Sequence, residues 1–135
     1  MSFIQSTIKN TRELIMLDKG ANTVTVKAEI LAYTTGGLVI PATSSTVRSA
    51  VVGISNQAIA AAEALTQVPA IAVDSNDTFI ADVTNASDVA HNYMRMILTS
   101  STVVNNTGTD DANGVVQQVE PFGVASNKKI ICRFV

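Results

Sequence analysis

Lys128-Lys129-Ile130-Ile131-Cys132-Arg133-Phe134-Val135 puts Ile130, Cys132 and Phe134 on one face and Ile131, Arg133 and Val135 on the other. Successive strand side chains point to opposite sides, so this period of two predicts a strand with one face in a core. The segment closes a run over residues 99–135 that reads as strand, long polar turn, strand, turn, strand. A sequence that stops on such a pattern is expected to finish inside a sheet. Upstream, residues 115–120 form the preceding expected strand, and Thr107-Gly108-Thr109-Asp110-Asp111-Ala112-Asn113-Gly114 is the longest turn-forming run. Asp, Asn and Gly tolerate turn dihedrals, so this run is expected to be a hairpin turn.

The same reading extends toward the N-terminus. Residues 78–84 place Phe79, Ala81 and Val83 inward against Asp82 and Thr84, and residues 93–98 resume a strand with Tyr93 or Met94 facing in. Residues 102–106 either continue that strand or open another. Residues 85–92 are a polar loop with a turn near 86–90, and residues 68–73 and 50–55 are short apolar strands. Residues 57–65, rich in alanine, have the highest helix propensity in the chain; they predict a helix of about two turns or a loop feeding the next strand. Residues 31–40 predict a hairpin whose turn glycines, Gly36 and Gly37, supply positive φ. Residues 23–30 alternate cleanly, with Val24, Val26, Ala28 and Ile30 on one face. In total about eight to ten short strands at intervals of about 8 to 12 residues are expected, the spacing of an all-β sandwich or small barrel.

The chain has 135 residues, which suits one domain over residues 14–135 behind an N-terminal arm over residues 1–13. The arm shows no apolar face and no turn glycine; it is either disordered alone or ordered on a neighbour. Hydrophobic residues make up 47% of the chain but charged ones only 15%, so polarity comes from Ser, Thr and Asn, which favours strands and turns. A net charge of -2 gives no basic field for a nucleic-acid backbone. No run approaches the roughly 18 apolar residues of a membrane span, and the N-terminus lacks the pattern of a signal peptide. The chain is expected to be made and kept in the cytoplasm. Cys132 is the single cysteine, so the framework comes from packing rather than an internal disulfide.

The chemistry-bearing residues form no catalytic, cofactor or metal constellation. Thr109, Asp111, Asn113, Gly114, Val116 and Glu120 fall at calcium-loop spacing, but threonine holds the first position and Pro121 prevents a following helix. His91, with Asp88 and Ser87 nearby, reads as a loop histidine at a turn, since a hydrolytic triad is assembled in space rather than in sequence. Cys132 reads as a buried inert thiol. Asp74, Asp77 and Asp82 read as turn and solvated strand positions, and Gly36-Gly37 lacks the spacing of a phosphate loop. Phe3, Ile4, Leu14, Ile15, Met16 and Leu17 are the candidate interface residues, because their apolar side chains either pair as a first strand or dock on another subunit.

The order of segments resembles the small auxiliary capsid proteins of tailed bacteriophages, the head decoration, head-stabilisation or cement proteins. The similar pieces are Lys19-Gly20, Leu31-Ala32-Tyr33 before a glycine turn, Ile40-Pro41-Ala42-Thr43, Val51-Val52-Gly53-Ile54, Val68-Pro69 and Asp77-Thr78-Phe79. The closing segment, from Val103-Val104-Asn105-Asn106 to Lys129-Ile130-Ile131-Cys132-Arg133-Phe134, completes the layout, which spans residues 14–135. The resemblance implies a compact β domain, often trimeric, that binds the major capsid protein on the outside of an icosahedral head, with no catalytic residues and no cofactor. The Ala-rich stretch 57–65 is longer than that layout leads one to expect, and the arm varies in length. Two other readings remain: a tail- or fibre-associated β module that binds a host glycan, for which two Tyr and no Trp are few stacking surfaces, and a small hydrolase using His91.

Overall fold

The computed structural model describes residues 3–5, 14–20, 28–59, 67–73 and 77–135. Among these are twelve strands: β1 (Phe3–Gln5), β2 (Leu14–Asp18), β3 (Ile30–Tyr33), β4 (Val39–Pro41), β5 (Val51–Ser55), β6 (Gln67–Ala72), β7 (Phe79–Val83), β8 (Arg95–Met96), β9 (Leu98–Ser100), β10 (Val103–Val104), β11 (Val116–Pro121) and β12 (Lys129–Phe134). Single 3₁₀ turns occur at Arg48–Ala50, Val89–His91 and Ala125–Asn127. The fold is all-β, built from two sheets.

The five-stranded sheet runs β2-β6-β5-β3-β4 and is antiparallel throughout. Its two edges meet where Lys19 bridges Val39 in parallel and the Gly20 N–H donates to the Val39 carbonyl at 3.0 Å. The sheet thus curls into a nearly closed small barrel, filled by Leu17, Leu31, Val39, Ile59, Val68 and Ala70. Tight closure constrains residue size. A Cβ on Gly53 would stand 2.8 Å from the Ile71 carbonyl oxygen and 3.3 Å from Ala70 Cβ, so the approach of β5 to β6 requires glycine.

The seven-stranded sheet runs β8-β11-β12-β7-β10-β9, with β1 added beside β7. β12 pairs antiparallel along one edge of β7, from Lys129 opposite Asp82 to Cys132 opposite Phe79. The other edge of β7 is divided. β10 takes Asp82 and Val83 in parallel, and β1 takes Phe79, Ile80 and Ala81 antiparallel. The closing segment is therefore an interior strand, and its buried face is the one that alternation predicts: Ile130, Cys132 and Phe134.

The main core lies between this sheet and the outer face of the barrel. Phe79, Ala81, Val83, Met96, Leu98, Val104, Val116, Ile130, Cys132 and Phe134 meet Ile30, Ala32, Val51 and Ile54 there. β3 feeds both cores, with Ile30 and Ala32 facing one way and Leu31 the other. Burying each large side chain contributes about 1.5–3 kcal/mol, so a strand used on both faces holds the two sheets together. Two polar contacts reinforce the joint. Arg48 donates through Nε to the Val135 carbonyl at 2.6 Å while its guanidinium lies 5.8 Å from the centre of the Phe134 ring. The buried Glu29 carboxylate accepts from Ser101 Oγ at 2.8 Å, and its N–H donates to Ser55 Oγ at 3.2 Å.

Several expectations need correction. The 107–114 run is not a hairpin turn: β10 pairs with β7 and β9, whereas β11 pairs with β8 and β12. The loop instead runs along β8, where the Asp111 N–H donates to the Arg95 carbonyl at 3.0 Å and Val115 N–H to the Met96 carbonyl at 2.8 Å. Of Tyr93 and Met94, Met94 is the one that packs against the core; Tyr93 has φ +66° and is 65% exposed, and the strand begins only at Arg95. The strand expected over 23–30 is broken at Ala28, whose φ is +66°, and residues 23–27 lie outside the described residues. Only Gly37 of the glycine pair has positive φ. Of the expected helix at 57–65, residues 57–59 are described, with Ile59 in the barrel core, and the remainder lies outside the described residues.

Candidate functional site

Strand β2 carries four of the six candidate interface residues, and the pleat divides them. Ile15 and Leu17 stand opposite Ala70 and Val68 and pack inside the barrel. Leu14 and Met16 point outward and are 46% and 54% exposed. Their partners across the ladder are Ile71 and Pro69, both half-buried, so the outer face of the β2–β6 pair is a stripe of four adjoining apolar residues. At one end the stripe meets a polar rim, where Gln67 Nε2 donates to Asp18 Oδ1 at 3.1 Å. An apolar centre bordered by polar groups is the anatomy of a protein contact surface. Sequence reasoning missed Pro69 and Ile71. Their signal was the alternation with Val68 and Ala70, which acquires meaning only once β6 is set beside β2.

Phe3 and Ile4 are elsewhere. They lie in β1 of the other sheet, opposite Ala81 and Ile80 of β7. Residues 6–13, which complete the expected arm, lie outside the described residues.

The remaining sequence candidates fall into structural roles. Asp88 Oδ1 accepts the Ala90 N–H at 2.8 Å and so caps the turn at Val89–His91. Ser87 Oγ and His91 Nδ1 are buried without a hydrogen-bond partner, so the two are not joined as nucleophile and base. Gln118 is fully buried; its Nε2 donates to the Asp88 carbonyl at 2.8 Å and to Asn92 Oδ1 at 2.9 Å, which pins this loop to β11. At the calcium-like spacing, Asp111 Oδ1 accepts the Asn113 N–H at 2.8 Å, and Glu120 lies out along β11. Gly114 serves packing rather than a bend, since a Cβ there would stand 2.6 Å from Arg95 Cβ and 2.8 Å from the Met96 nitrogen. Neighbouring Asp110 is gripped by Arg95. Hydrogen bonds from that side chain and from the Arg95 backbone N–H hold its carboxyl at about 2, below the ordinary 3.8.

Asp82 pairs with Lys129 across the β7–β12 ladder, Asp77 is buried, and Asp74 lies outside the described residues. Burial pushes the Cys132 thiol up to about 12. Among the described residues no group of three or more His, Cys, Asp or Glu is placed to hold a metal ion. A cavity of about 80 Å³ between Met94, Met96, Asn105 and Thr107 is far smaller than the roughly 300–1,000 Å³ of small-molecule sites. No described helix is long and apolar enough to cross a membrane. Compared with known families and curated proteins, the chain matches no family model and no curated protein.

Proposed function

We propose that this chain is a structural virion protein that binds the exterior of an icosahedral bacteriophage head as a homo-oligomer, with the major capsid protein as partner, and stabilises the shell. The apolar stripe of Leu14, Met16, Pro69 and Ile71 carries the reading, because an outward-facing apolar stripe on a sheet suits a protein partner rather than an enclosed ligand. The resemblance in segment order to head decoration proteins supplies the partner class and favours a trimer. Weak contacts suffice in such a role. A symmetric oligomer that engages several capsid subunits at once binds far more tightly than any one of its sites. The protein in this reading is made in the host cytoplasm and ends on the capsid exterior.

The test is to mix the purified protein with empty heads of the corresponding phage, pellet the heads and image them by negative stain. Decoration at regular lattice positions is the expected result. Heads that sediment without the protein at saturating concentration would overturn the proposal.

A further inference from the structure

We propose that copies of this chain are joined by strand exchange, with β1 of one copy filling the edge of β7 in the next. The inference deepens the homo-oligomer part of the proposed function and rests on no contact with the capsid.

The argument starts at β7. Residues 79–82 are paired with β12 on one edge, but on the other β10 covers only Asp82 and Val83. Phe79, Ile80 and Ala81 are left as a slot three residues long in a sheet whose neighbouring side chains form the main core. Unpaired N–H and C=O groups on such an edge recruit any extended segment of matching length. β1 is that segment, with Phe3, Ile4 and Gln5 opposite Ala81, Ile80 and Phe79.

What ties β1 to its own slot is weak. Among the described residues β1 pairs with no strand but β7, and residues 6–13, eight in number, separate it from β2, a strand of the other sheet. Those eight residues contain neither glycine nor proline, the two strongest turn-forming residues. Extended, they span about 27 Å, enough to reach an adjoining copy. An exchanged β1 makes the same ladder as an unexchanged one, which is why swapping of an identical element is an inexpensive route to oligomers. The choice between them depends on concentration: the intramolecular ladder competes at an effective concentration set by the length of the connection, and exchange gains as the concentration of neighbouring copies rises above it. Since each copy gives one strand and takes one, the exchange closes either as a reciprocal two-fold pair or as a head-to-tail ring such as a trimer.

The slot can be read by cysteine pairing. Ile4 and Ile80 stand directly opposite each other, and opposed residues of an antiparallel pair have Cα atoms about 4.5–5.5 Å apart, within disulfide range. Ile4→Cys and Ile80→Cys are placed on separate full-length chains of different size, coexpressed, concentrated, oxidised and run on a non-reducing gel. The expected product is a disulfide-linked heterodimer, with covalent rings or ladders from the double variant. A double variant that cross-links only within single chains, or no cross-link in any combination, overturns the proposal. Deleting residues 1–5 provides a second measurement: light scattering should report a shift from oligomer to monomer with the β circular-dichroism signal retained, and an unchanged oligomer would contradict exchange. Head decoration without interchain cross-links would sink the exchange while leaving the proposed function intact.

Discussion

Replacing Phe134 with alanine strikes the place where the two sheets are joined. The ring is 1% exposed, packs edge-on against Phe79 with centroids 5.7 Å apart, and lies under the Arg48 guanidinium. Truncating a buried phenylalanine costs about 3–5 kcal/mol in lost transfer free energy and cavity. The aromatic pair adds roughly 0.5–1.5 kcal/mol, and the partly exposed Arg48 contact roughly 0.5–1 kcal/mol, so the expected loss lies at the upper end of the range, about 5 kcal/mol. Against a typical total of 5–15 kcal/mol, that brings the domain near its folding threshold. Phe134→Leu is the measurable companion. It keeps most of the apolar volume and loses the ring contacts, for an expected cost of about 1–2 kcal/mol. Urea titration followed by circular dichroism gives both values, and Arg48→Ala in each background isolates the guanidinium contribution as a coupling energy. A loss below about 1 kcal/mol for Phe134→Ala would refute the claim that this ring locks the sheets together.

Leu17→Ala should destabilise by about 2–3 kcal/mol in urea titration, while Met16→Ala, one residue away on the outer face, should change stability by less than about 0.5 kcal/mol; equal effects would mean that β2 is registered differently. Gly114→Ala forces a Cβ against β8 and should cost about 1–3 kcal/mol in thermal unfolding. Because Asp110 is held at about 2 against an ordinary 3.8, its contribution is fully present above 3.8 and is lost as pH falls toward about 2. Asp110→Asn should therefore flatten the stability–pH curve in that window and leave its shape at neutral pH unchanged. Cys132 should resist iodoacetamide at about pH 8 in the folded protein and react on unfolding, as mass spectrometry would show.

The strands that alternate were legible before any partner was known. β7 and β12 bury the alternate residues that their period of two predicts, because one face of each meets the core and the other does not. Pairing was harder to read. The polar loop before β11 looks like a hairpin turn in sequence, yet its residues bond along β8, since strand neighbours depend on long-range packing that a local turn pattern does not encode. Gly114 shows the same limit: its residue type suits a bend, but the close passage of β8 requires it. The candidate interface was half legible. A run of four apolar residues has no period, so which pair of β2 faces out emerged only from the barrel, together with Pro69 and Ile71 beside it.

The central claim is that the outer β2–β6 stripe docks on a phage head, and it is tested most directly by head binding of the Leu14→Lys/Met16→Lys double variant. Both positions are exposed, so the variant should unfold at the same urea concentration as the wild type. Quantitative co-sedimentation with empty heads should show binding weakened at least about tenfold, because two charges would enter an apolar contact. A correctly folded variant that decorates heads with wild-type affinity would contradict the account.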